Sequence, residues 1–133
     1  MKDIRVLLIE DDKFLRKACE VSLKKRGLAV LTAVDGEDGF NQAVETVPDI
    51  ILMDMLMPKM SGLEALAALK KNEKTVGIPV VILSNSSQDA NIQKAKSLGA
   101  AGYLVKAAIS LKELGDKVIE FVEQPDGELT AGA

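Results

Sequence analysis

The sequence alternates five short apolar runs with five segments of helical periodicity, and this alternation restricts the fold more than any other feature. The apolar runs are residues 4–9, 29–34, 50–53, 79–83 and 100–105. The helical segments are residues 13–26, 36–46, 62–72, 89–98 and 111–123. Five repeats of strand and helix predict an α/β fold, a doubly wound five-stranded parallel sheet with helices on both faces and right-handed crossovers.

Signals at the helix ends support these boundaries. Gly27 and Gly99 follow the first and fourth predicted helices, where a C-terminal glycine cap belongs. Asp12 directly precedes the first helix, which favours an N-cap over a role in a functional site. Residues 124–133 lack apolar periodicity and predict a flexible tail or the start of a linker, so we expect one domain at residues 1–123.

Composition excludes several classes of function. The chain has 133 residues and a formal net charge of −3, and its 17 Lys and Arg are scattered, which argues against a nucleic-acid surface. Residues 1–12 are too acidic for a signal peptide and no apolar run approaches a membrane span, so we expect a cytoplasmic protein. Histidine is absent, so a phosphohistidine or an imidazole base must come from another molecule.

Polar side chains follow four of the predicted strands. Glu10 and Asp11 follow the first strand, Asp54 the third, Ser84 the fourth and Lys106 the fifth. Ligands bind outside the carboxyl ends of the strands in such a sheet, so these side chains should meet there. Two carboxylates 4 Å apart repel each other by about 4 kcal/mol at an effective dielectric constant of 20, so this edge requires a cation. An all-oxygen ligand set with room for water favours Mg²⁺ or Mn²⁺ over zinc.

Together these residues resemble the signature of response-regulator receiver domains, the phosphoacceptor modules of two-component signalling and phosphorelays. The signature is carried by Glu10, Asp11, Asp54, Met57, Pro58, Gly62, Ser84, Tyr103 and Lys106. The resemblance covers residues 4–122 and implies a flavodoxin-like, CheY-like fold. It also implies that Asp54 accepts a phosphoryl group from a sensor histidine kinase or a phosphotransfer protein. Apart from self-catalysed phosphorylation and dephosphorylation of Asp54, such a protein is not an enzyme.

The resemblance also implies a metal site beside the phosphoacceptor. Asp11, Asp54 and the backbone carbonyl of Leu56 would bind Mg²⁺, and Glu10 would act largely through water. The apolar side chain of Leu56, two residues after Asp54, would lie near the phosphoryl site and impede an attacking water. We therefore expect slow self-dephosphorylation.

Three further residues would respond to the phosphoryl group. Lys106 would pair with one of its oxygens, and Ser84 would move to hydrogen-bond another. Tyr103 would then turn inward as a switch residue. The fourth helix, last strand and fifth helix would change their affinity for a downstream protein target, with the receiver a monomer or weak dimer.

The residue after Lys106 departs from the family pattern. Receivers usually place a proline there, across a cis peptide bond that aims the lysine at the phosphoryl site, whereas this sequence has Ala107. A cis bond before a non-proline residue costs about 2.5–4 kcal/mol. Because the remaining site residues are all present, we expect a cis Lys106–Ala107 bond.

Two other functions compete with the phosphoacceptor role. A pseudo-receiver would bind a partner without ever being phosphorylated, although the complete set of acidic residues, serine and lysine argues against it. A phosphohydrolase with an aspartyl-phosphate intermediate would carry a second aspartate two residues after Asp54, where this sequence has Leu56. Tyr103 also has an alternative role, as a residue that only fills space beneath a helix.

Overall fold

Parallel pairing joins the five apolar runs into one sheet. The computed structural model describes residues 3–85 and 88–123. Its strands are β1 (Arg5–Ile9), β2 (Ala29–Ala33), β3 (Ile50–Asp54), β4 (Val80–Ser84) and β5 (Gly102–Val105). The strand order is β2-β1-β3-β4-β5, and every neighbouring pair is parallel.

Five helices connect or follow the strands. They are α1 (Lys13–Lys25), α2 (Gly36–Thr46), α3 (Gly62–Lys71), α4 (Asp89–Ser97) and α5 (Leu111–Glu123). A 3₁₀ turn, Lys106–Ala108, lies between β5 and α5. The predicted doubly wound α/β fold is confirmed. The predicted tail at residues 124–133 lies outside the described residues.

The strands divide their side chains between two apolar cores, as the period of two in a strand requires. In β1, Leu7 and Ile9 pack with residues of α2, α3 and α4, whereas Val6 and Leu8 pack with residues of α1 and α5. Strands β3 and β4 are buried along their whole length. Strand β2 is less buried than its apolar sequence predicts, because it lies at the edge of the sheet.

The predicted helix signals are largely confirmed. The Asp12 side chain caps α1 by accepting from the backbone N–H groups of Phe14 and Leu15. Gly27 and Gly99 take positive φ angles of 90° and 98° after α1 and α4, a conformation in which glycine has no Cβ penalty. Within the described ranges, no helix is long and apolar enough to cross a membrane.

Gly62 allows the start of α3 to approach the end of β3. A Cβ atom at Gly62 would lie 2.3 Å from the Asp54 carbonyl oxygen and 2.8 Å from Met55 Cα. Both are backbone atoms, so the strand end that carries Asp54 would have to move. We expect Gly62→Ala to lower the free energy of unfolding by about 1–3 kcal/mol, as overpacking does.

Chemical denaturation measures this change. Gly77→Ala is the matched control, because nothing lies within 4 Å of a Cβ built there. Equal stability of the two variants would show that the close approach at Gly62 is not needed.

Candidate functional site

The register of the sheet brings the polar strand ends to one edge. Ile9 of β1 pairs with Met53 of β3, so Glu10 and Asp54 follow side by side. On the other side of β3, Asp54 pairs with Leu83, and Ser84 follows in β4. These residues therefore lie together at the carboxyl edge of the sheet, as ligand sites in this architecture do.

Three carboxylates form a cluster at this edge. Glu10, Asp11 and Asp54 each offer one oxygen, and these oxygens lie within 4.8 Å of one another. Glu10 and Asp54 are buried, with 1% and 8% of their surface exposed, whereas Asp11 is exposed. The set fits Mg²⁺, which binds one or two carboxylates and retains several waters on its open side.

Lys106 bridges two members of the cluster. Its Nζ lies 3.1 Å from Glu10 Oε1 and 3.1 Å from Asp54 Oδ1. Partial burial alone would lower the pKa of Lys106, but the hydrogen bond to Glu10 and the charges of Asp54 and Glu10 raise it above its ordinary value. The ammonium therefore keeps its charge at neutral pH.

The pKa of Glu10 is also raised, but for a carboxyl group a raised pKa disfavours the charged form. Burial raises the pKa of Glu10 above its ordinary value, and the nearby charge of Asp54 raises it further. The backbone N–H of Asp12 and the ammonium of Lys106 both oppose this rise. Burial and the charge of Asp54 thus both oppose the ionised form of Glu10, and a nearby cation favours that form.

The expectation of a cis bond after Lys106 is wrong. The described residues contain no cis peptide bond, and residues 106–108 instead form the 3₁₀ turn. The Lys106 ammonium still reaches Asp54, so cis geometry is not needed to aim it. A trans bond before Ala107 also avoids the cost of about 2.5–4 kcal/mol that a non-proline cis bond carries.

An open cleft of about 570 Å³ lies beside the acidic cluster. It is lined by Asp54, Met55, Leu56, Ser84, Asn85, Gln88 and Asn91. Leu56 is 79% exposed, and Ser84 is buried with its Oγ 4.0 Å from Met55 Sδ. The cleft gives a partner molecule access to Asp54.

Two lining residues at the start of α4 are among those that were not predicted from the sequence. Gln88 and Asn91 bracket the first turn of α4 and both line the cleft. Their spacing of three residues places them on the same side of the helix, and this spacing is the signal that could have identified them. They supply carboxamide groups to the lining of the cleft.

Tyr103 lies inside the sheet's core. It is fully buried in the same apolar cluster as Ile82 and Ala95. The inward position that the switch hypothesis assigned to the phosphorylated form is therefore already occupied in this conformation.

Comparison with known proteins then decides the family. The profile of the response regulator receiver domain matches residues 6–119. The chain belongs to this family. As a receiver domain it has a phosphoacceptor role in two-component signalling, in a family that is generally not enzymatic.

Individual relatives agree with this assignment. The receiver domain is 38% identical to protein PilG of Pseudomonas aeruginosa over 105 residues, 77% of this chain and 76% of PilG. It is 35% identical over 101 residues to the transcriptional regulatory protein AfsQ1 of Streptomyces coelicolor, covering 76% of this chain and 44% of AfsQ1. The receiver domain thus spans less than half of that longer regulator.

Solved structures show the same fold. The structure of the chemotaxis response regulator CheY4 of Vibrio cholerae superposes with a TM-score of 0.82 at 28% identity. The match covers 91% of this receiver domain and 99% of the CheY4 chain. The family match and these relatives do not favour the pseudo-receiver or the phosphohydrolase.

Proposed function

We propose that Asp54 accepts a phosphoryl group from a sensor histidine kinase or a phosphotransfer protein, in a reaction that depends on Mg²⁺ or Mn²⁺. The observation that carries this proposal is the position of Lys106 Nζ, 3.1 Å from Asp54 Oδ1 within the acidic cluster. Asp54 thus has a carboxylate nucleophile, the ammonium of Lys106 beside it and access to a cleft, which are the features that a phosphoryl acceptor requires.

The transfer exchanges one bond to phosphorus for another. An Asp54 carboxylate oxygen attacks the phosphorus atom, and the phosphorus–nitrogen bond of the donor phosphohistidine breaks with its electron pair passing to the imidazole. The donor histidine lies outside this sequence, which contains none. The product is an acyl phosphate that water hydrolyses, so the signal decays with time.

The residues around Asp54 stabilise charge on the transferred group. Phosphoryl transfer passes through a loose transition state with negative charge on the equatorial oxygens. Lys106 supplies one positive charge, and Ser84, which lines the cleft, supplies a hydroxyl donor. Bound Mg²⁺, held by Asp11, Asp54 and the backbone carbonyl of Leu56 with Glu10 acting through water, would supply further positive charge.

We propose that the signal leaves through α4, β5 and α5. Ser84 ends β4 beside β5, so a shift of its hydroxyl toward the phosphoryl group reaches Tyr103 and the adjoining helices. Tyr103 is already buried, so phosphorylation would not move it inward. Its inward position would instead stabilise the active conformation of this surface. The partner is a downstream protein, and the receiver acts in the cytoplasm as a monomer or weak dimer.

Beryllofluoride, a phosphoryl mimic, tests this output surface. We expect the backbone amide resonances near Lys94, Tyr103 and Lys117 to shift when the mimic binds in the presence of Mg²⁺, because a switch requires different states of that surface. Amides near Glu73, at the opposite end of the sheet, serve as the control. Shifts confined to the acidic cluster would rule out α4, β5 and α5 as the output surface.

Two assays separate the phosphoacceptor from its alternatives. Incubation with acetyl phosphate and Mg²⁺ should produce a slower band in a phosphate-binding gel, whereas a pseudo-receiver would give none. A phosphomonoester substrate should not be turned over. Sustained release of phosphate from such a substrate would identify a phosphohydrolase instead.

A further inference from the structure

The side chain of Arg16 in α1 hydrogen-bonds to the backbone of the loop that carries Glu10 and Asp11. Arg16 is half-buried, and its Nη1 donates to the Glu10 carbonyl oxygen at 2.8 Å and to the Asp11 carbonyl oxygen at 3.4 Å. Both carbonyls belong to residues whose carboxylates form the acidic cluster. Arg16 therefore contacts the backbone of the cluster and not its carboxylates.

These two bonds restrain the direction of the Asp11 side chain. The Glu10 carbonyl lies in the peptide plane before Asp11, and the Asp11 carbonyl lies in the plane after it. Because peptide groups are planar, holding both carbonyls holds the two planes that meet at Asp11 Cα. Asp11 is exposed, so packing does not hold its carboxylate in place.

Other bonds in this loop hold the residues on either side of Asp11. The Glu10 N–H donates to the Ala33 carbonyl, and the Asp12 N–H donates to Glu10 Oε2. The Asp12 side chain already caps α1, so Arg16 is not needed for that purpose. We propose that Arg16 is a positioning residue, which holds Asp11 toward Glu10 and Asp54 so that the three carboxylates can share one cation.

This inference rests on the proposed metal-dependent function and is tested first by Mg²⁺ affinity. Outer-shell partners of metal ligands typically contribute 10–100-fold to affinity, so we expect Arg16→Gln to weaken Mg²⁺ binding about tenfold, as measured by calorimetric titration. Lys17→Gln is the matched control, because it removes the same charge from the next residue of α1. The Lys17 side chain is 73% exposed and pairs only loosely with Glu20, at 3.8 Å.

The control separates geometry from charge. Lys17→Gln should alter Mg²⁺ affinity by less than about twofold, because solvent screens an exposed charge. Arg16→Lys keeps the charge but lacks the planar guanidinium, and should still weaken binding more than Lys17→Gln does. Wild-type affinity in Arg16→Lys, or equal losses in Arg16→Gln and Lys17→Gln, would overturn the positioning role.

A measurement made without metal distinguishes two outcomes, failure of the positioning role of Arg16 and failure of the proposed metal-dependent function. The Asp12 N–H bonds to Glu10 Oε2 across the restrained loop, so its hydrogen exchange should accelerate in Arg16→Gln and not in Lys17→Gln. If the wild-type protein binds no Mg²⁺ but this acceleration occurs, the metal-dependent function fails while the loop restraint stands. Unchanged exchange in Arg16→Gln overturns the restraint itself.

Discussion

Asp54→Asn is expected to abolish phosphorylation by acetyl phosphate or a kinase while the protein remains folded. The substitution removes the nucleophilic carboxylate and keeps its volume at the end of β3. Lys106 retains its ion pair with Glu10 at 3.1 Å, so the ammonium is not left without a partner. Labelling should fall to the background of the assay, while the thermal midpoint stays near or above that of the wild type.

Asp3→Asn is the matched control for this variant. Asp3 is an exposed aspartate that precedes β1, at the end of the sheet opposite Asp54. It should be labelled as fully as the wild type. If Asp54→Asn and Asp3→Asn were both labelled stoichiometrically, Asp54 would not be the phosphoacceptor.

Asp11→Ala is expected to remove most of the Mg²⁺ response and to stabilise the metal-free protein. Asp11 contributes one of three carboxylates whose oxygens lie within 4.8 Å of one another, so its removal relieves repulsion when no cation is bound. Since Asp11 is exposed, solvent weakens this repulsion, and we expect a rise in the thermal midpoint of about 2–5 °C. At an Mg²⁺ concentration that saturates the wild type, the wild type should gain stability and the variant should gain much less.

Melting scans with and without Mg²⁺ test both effects. Glu73→Ala changes the net charge equally at an exposed position between α3 and β4, away from the cluster, and should behave as the wild type does. An Asp11→Ala protein that keeps the full Mg²⁺ response would show that Asp11 is not a ligand.

The sequence predicted the elements of the fold closely where local signals are strong. Helix α2 begins and ends at the predicted residues, and α5 begins at the predicted Leu111, because amphipathic periodicity marks both helices. The strand ends shifted by one or two residues, since an apolar run does not show where pairing stops. Residues 100 and 101 continue the apolar run but precede β5.

The arrangement within the site depended on contacts that spacing does not reveal. Glu10 and Asp11 are neighbours in sequence and their carboxylates meet in one cluster, yet Glu10 is buried and Asp11 is exposed, a difference that adjacency in the sequence does not predict. The bridge from Lys106 to Glu10 joins residues 96 positions apart. No sequence pattern predicted that Arg16 would bind the backbone of the acidic loop.

The expected cis bond shows a different limit. In the family pattern, a cis bond before proline directs the lysine side chain toward the phosphoryl site. The lysine can also reach that site without a cis bond. In this chain the 3₁₀ turn at residues 106–108 brings the ammonium to Asp54 through trans bonds.

The inward position of Tyr103 was also not predictable from the sequence. The rotamer of a tyrosine depends on the space that its neighbours leave and not on the tyrosine itself.

Direct mapping of the phosphoryl group tests the central claim. The wild-type protein is incubated with acetyl phosphate and Mg²⁺, the acyl phosphate is reduced with borohydride, and the peptides are sequenced by mass spectrometry. Reduction converts a phosphorylated aspartate to homoserine, and we expect this product at Asp54 alone. Homoserine at Asp11 or another aspartate, or none in a protein that the gel shows to be phosphorylated, would contradict the assignment of Asp54 as the phosphoacceptor.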